Sequence, residues 1–156
     1  MKTKKLSLLL LVFALLFSCV ACGETEVPNN AEQAQSNFEE KVFVDDENCT
    51  FKITGVDADG IFGYTLNAYI ENKTGKNLMF AWNDVSVNGF MCDPFWATSV
   101  QAGKKSVSDI SFSETELAEL GIETVETIEF TLSVYDEDDW MADHLVEETF
   151  TLNLAN

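Results

Sequence analysis

The sequence predicts an all-β chain, an antiparallel sandwich with one short helical crossover at about residues 114–120. Three observations predict it: apolar residues alternate with period two from Val42 onward, turn residues separate the alternating stretches, and a single helix signature interrupts them. Period two puts successive side chains on opposite faces, so each such stretch is a strand with one dry and one wet side.

In "CTFKIT", Cys49, Phe51 and Ile53 share the inward face. "DADG" at 57 to 60 has turn composition and is expected to end that strand. "YTLNAYIEN" then sets Tyr64, Leu66, Ala68 and Ile70 against Thr65, Asn67, Tyr69 and Glu71. "NKTGKN" at 72 to 77 and "AGKK" at 102 to 105 mark further turns. Asn88-Gly89 is the two-residue loop of a type I′ hairpin, which places Val87 opposite Phe90 and Val85 opposite Cys92 and turns Cys92 inward. In "SFSETELAELG", Ser113 caps a helix with Glu116 three residues on, Leu117 and Leu120 share a face, and Gly121 ends it. "TIEFTLSVY" points Ile128, Phe130, Leu132 and Val134 inward, and "TFTLNL" does the same with Phe150, Leu152 and Leu154.

The order of these motifs resembles a family of immunoglobulin-like domains, of no assigned activity, found in lipoproteins and other exported proteins of Gram-positive bacteria. The likeness runs over most of residues 48 to 154, and "ENKTGKNL", "DVSVNGFM" and the passage from "AGKK" to "LGIET" carry it. It implies an immunoglobulin-like sandwich outside the cytoplasm. It brings no catalytic residue and gives no support to a disulfide.

The N-terminal residues are read as a leader. Lys2, Lys4 and Lys5 precede a run from Leu6 to Phe17 that is apolar apart from Ser7, and at ~1.5 Å per residue its roughly 18 Å falls short of a membrane's hydrocarbon core. In "FSCVACGE" two cysteines compete for lipid attachment. The stretch resembles a bacterial lipobox: Cys22 has Ala21 before it and Gly23 after it but Cys19 where Leu is expected, while Cys19 has Leu16 and Ser18 in place but Phe17 between them and Val20 after it. Cleavage before Cys22 leaves the even pair Cys49 and Cys92, which favours Cys22, with Cys19 the alternative. The expected organisation is a signal peptide over 1–21, a lipidated N-terminus and polar tether over 22–41, and the sandwich over 42–156. The chain then sits on the outer face of the cell membrane.

Behind the leader 27 acidic residues face six lysines and no arginine. Such a surface repels phosphate backbones, which excludes nucleic acid as a partner. His144 is the sole histidine, so nucleophilic pairs and zinc motifs lack their parts. No cofactor is signalled beyond Ca²⁺, for which Asp57, Asp59, Asp136, Asp138 and Asp139 supply hard oxygen ligands if the loops gather at one end of the sandwich. Cys49 and Cys92 have two readings. One is a bridge closing a loop of about 44 residues, contributing on the order of 3–4 kcal/mol; the other is a pair of buried reduced thiols. Trp140 and Met141, set between carboxylates in "DEDDWMAD", are either contact anchors or a lid folded onto their own sandwich, and Phe95 and Trp96 pose the same choice. The function expected is that of a lipid-anchored, non-catalytic module binding an envelope or surface protein or polymer. Its rival is a structural envelope component with no ligand.

Overall fold

The computed structural model describes residues 38–139 and 141–155. Among these described residues nine strands and one helix follow in the order β1 (Lys41–Asp45), β2 (Cys49–Gly60), β3 (Gly63–Asn72), β4 (Leu78–Val87), β5 (Phe90–Met91), β6 (Ala97–Val100), β7 (Lys105–Phe112), α1 (Glu114–Glu119), β8 (Thr127–Asp136) and β9 (Val146–Asn153). One sheet has the order β1-β2-β3-β7; the other has β5-β4-β8-β9, with β6 also paired to β4. All pairings are antiparallel.

This connectivity is immunoglobulin-like. β2, β3 and β7 pair as strands A, B and E do, and β4, β8 and β9 as C, F and G do. The alternation read from the sequence explains the core: Leu66, Ala68 and Ile70 of β3 and Ile128, Phe130, Leu132 and Val134 of β8 are all fully buried. At its centre the Trp82 and Phe130 rings stack with centroids 3.8 Å apart, and Phe51 of the facing sheet meets both edge-on at 6.1 and 6.4 Å. In antibody domains the C-strand Trp packs on a disulfide from strand F; here an aromatic ring takes that place. β1 closes the flank, its Phe43 lying 5.1 Å from Phe130 and 5.3 Å from Phe150.

Two polar side chains fasten the ends. Asn72 is fully buried, and its amide donates to Lys76 O at 2.7 Å and to Val100 O at 2.8 Å while its oxygen accepts from Thr74 N. It thereby ties the end of β3 to the entry of β4 and to β6 in the other sheet. At the opposite end Asn88 takes φ 51° in its hairpin, and its side chain reaches across to Thr124 O, Glu126 N and Thr127 N. The loop between α1 and β8 is held in place by these three bonds.

The hairpin register is as the sequence predicts, with Val87 opposite Phe90 and Cys92 N donating to Val85 O at 3.1 Å. The helix is also where expected, capped by Ser113 and spanning Glu114–Glu119. The turn expected at 57 to 60 is displaced. β2 continues to Gly60, which pairs with Gly63, so the loop is Ile61-Phe62. The buried partners Phe51↔Ile70 and Ile53↔Ala68 fix the register, and a bulge between Asp57 and Gly60 absorbs the turn-like residues.

Candidate functional site

The residues expected to form a calcium site do not meet. Asp57 lies opposite Thr65, near one end of β3. Asp136 lies opposite Leu78, whose partner Val100 is bonded to Asn72 at the other end. Seven residues of β3 separate the two levels, roughly 20 Å at strand rise. Asp136 is matched instead by Lys76 at 2.7 Å, whose hydrogen bond holds the carboxyl below its ordinary range. Among the described residues no group of three potential ligands gathers for a metal.

The same register corrects the bridge. Cys49 is opposite Asn72, hence level with Leu78, whereas Cys92 is level with Val85. Seven residues along β4 again amount to roughly 20 Å, against the Cα separation of at most about 7 Å that a disulfide tolerates. Both thiols are free and buried. Burial pushes Cys49 up to about 12 and Cys92, also facing Glu116, up to about 11. They stay protonated and act as small core hydrophobes.

Phe95 and Trp96 divide the choice between them. Trp96 folds inward, its indole N–H donating to Ser108 Oγ at 2.9 Å, while Phe95 is 90% exposed with φ 50°. Met141 is 80% exposed. Trp140, Cys19 and Cys22 lie outside the described residues. His144 stacks on Tyr135 at 5.0 Å and approaches Glu147 at 3.6 Å.

A cleft that sequence reasoning missed occupies the end of the sandwich marked by α1. Its volume is about 1030 Å³, and it lies between the β2–β3 hairpin, contributing Ala58 to Gly60 and Gly63-Tyr64, and the stretch from Glu114 to Val125. The helix end shapes its floor. Gly121 at φ 71° lets Ile122 N reach Leu117 O at 2.9 Å and Gly121 N reach Ala118 O at 3.0 Å, a Schellman closure. That closure brings Ile122 over Leu117, and both line the cleft. On the opposite wall Gly63 takes φ 104°, and a Cβ there would stand 2.1 Å from Phe112 O, so the hairpin and the start of the helix touch backbone to backbone. Tyr64 completes the wall, its phenol pushed up to about 12 by burial.

Ile61 and Phe62 stand at the hairpin tip beside this cleft, 96% and 80% exposed. Neither has positive φ, so their loop makes no special backbone demand, and nothing in it requires large apolar side chains. The rim carries Asp59, Glu114 and Glu123, all exposed. "DADG" read as a turn hid this arrangement, and the one available signal was an Ile-Phe pair between two glycines.

No protein-family model matches the chain, and no curated protein does. Among solved structures the chain is similar to the GAE domain of GGA2p from Saccharomyces cerevisiae, with 9% identity and a TM-score of 0.34 over 76% of this chain and 98% of that one. A likeness so distant carries no functional step.

Proposed function

We propose that the chain is an extracytoplasmic lipoprotein, anchored in the membrane through Cys22, whose sandwich is a non-catalytic binding module of the immunoglobulin-like family it resembles. The basic start, the short apolar run and Ala21-Cys22-Gly23 support the anchor. The observation that carries the binding role is the cleft flanked by an exposed Ile61-Phe62 turn. Large apolar side chains on a loop that does not need them are what a contact surface supplies, and a rigid sandwich with function at its end loops is the usual division of labour.

Metabolic labelling with a fatty-acid probe tests the anchor. Cys22→Ser is expected to abolish label and release the chain from the membrane fraction, while Cys19→Ser keeps it. Loss of label in Cys19→Ser alone would move the anchor to Cys19, and label in neither wild type nor variant would remove it.

A further inference from the structure

We propose that the cleft at the α1 end docks a basic polypeptide segment of a partner protein, one that carries Lys or Arg together with apolar side chains; this rests on the reading of the domain as a binding module. The paired lysines of the sandwich lie away from the cleft. Lys73, Lys76 and Lys105 pair with Asp45, Asp136 and Glu71 around the end where Asn72 sits, and Lys41 and Lys52 pair with Glu39 and Glu40. The rim carboxylates Asp59, Glu114 and Glu123 have no cationic partner among the described residues, and no lysine lines the cleft. The cleft rim thus carries negative charge that no lysine of the described residues matches.

The occupant follows from this combination. A single metal ion does not fit, because among the described residues no three ligands converge. The volume stands at the upper edge of small-molecule sites, which run to roughly 300–1,000 Å³, and its lining residues Gly60 and Gly63 directly flank the exposed Ile61 and Phe62. Lysine and arginine combine an apolar stem with a charged tip, so their stems suit the Leu117 and Ile122 floor while their tips reach the rim. Apolar neighbours in the same segment cover Phe62. Attraction by the bare rim speeds encounter, and salt slows it.

Among the described residues the core runs from Phe38 to Leu154, so the chain without its leader retains it. The test uses that chain, with Cys22→Ser to keep it unlipidated, titrated with a short synthetic peptide of alternating Lys and Leu and followed by amide NMR. The expected result is saturable shifts centred on Tyr64, Leu117 and Ile122, weakened about tenfold by Phe62→Ser and by Glu123→Lys. Asp138→Lys, at the far end, should leave affinity within about twofold, as rim-remote surface charges do. The inference is overturned if an alternating Glu and Leu peptide binds as well, if spermine alone reproduces the shifts with equal affinity, or if Asp138→Lys weakens binding as much as Glu123→Lys. A photo-crosslinker placed in turn at positions 62 and 107 in producing cells separates the two levels of the claim. Capture of an envelope protein at 107 but not at 62 overturns the cleft while leaving the binding module standing. Capture at neither counts against the module itself.

Discussion

Phe130→Ala is expected to destabilise the domain by about 3–5 kcal/mol, the range for removing a fully buried Phe. Phe130 has no exposed surface and contacts four other rings, those of Phe43, Phe51, Trp82 and Phe150. Neighbours held in both sheets and in β1 cannot all collapse into the space left behind, so the cavity persists. Chemical denaturation should show a lower midpoint at unchanged slope. Phe130→Leu, which keeps most of the volume, should lose less than half as much. Equal losses would mean that the Trp82 stack, rather than filled volume, holds the centre.

Gly63→Ala is the second large effect, at about 3 kcal/mol or more, because strain and overpacking of roughly 1–3 kcal/mol each act together. The backbone is at φ 104°, and the added carbon would meet Phe112 O at 2.1 Å and Glu114 N at 2.8 Å, neither of which is a side chain able to swing away. Relief requires the hairpin to part from the start of α1, which opens the cleft. The melting midpoint should fall by about 10 °C or more for a domain of this size. Gly89→Ala serves as the control: it shares positive φ, at 84°, but its Cβ would meet nothing. A Gly63→Ala loss no greater than that of Gly89→Ala would contradict the close approach.

Periodicity reports which face a residue occupies and says nothing of how far along the sandwich it lies. That is why β3, β8 and β9 were legible, and why Cys49 and Cys92 were correctly turned inward while the choice between bridge and buried thiols stayed open until their levels were known. Asp57 and Asp136 failed for the same reason, each near the end of a strand but at different ends of the sandwich. β7 gave a weak signal because it is an edge strand in which only Ile110 and Phe112 are buried. Asn72 read as one more turn residue, although its two amide bonds span the sheets. The cleft was illegible because residues 58 to 64 and 114 to 125 meet only through packing, and no local pattern announces a meeting across fifty residues.

The intact mass of the chain extracted from the membranes of cells that produce it, alkylated after denaturation without reductant, tests the account most directly. The predicted species begins at Cys22, carries a diacylglyceryl group there, and takes up one alkyl group each on Cys49 and Cys92. A chain without lipid, or one beginning at Cys19, would contradict the proposed anchor, and a mass two hydrogens lighter that resists alkylation would contradict the placement of the thiols at opposite ends of the sandwich.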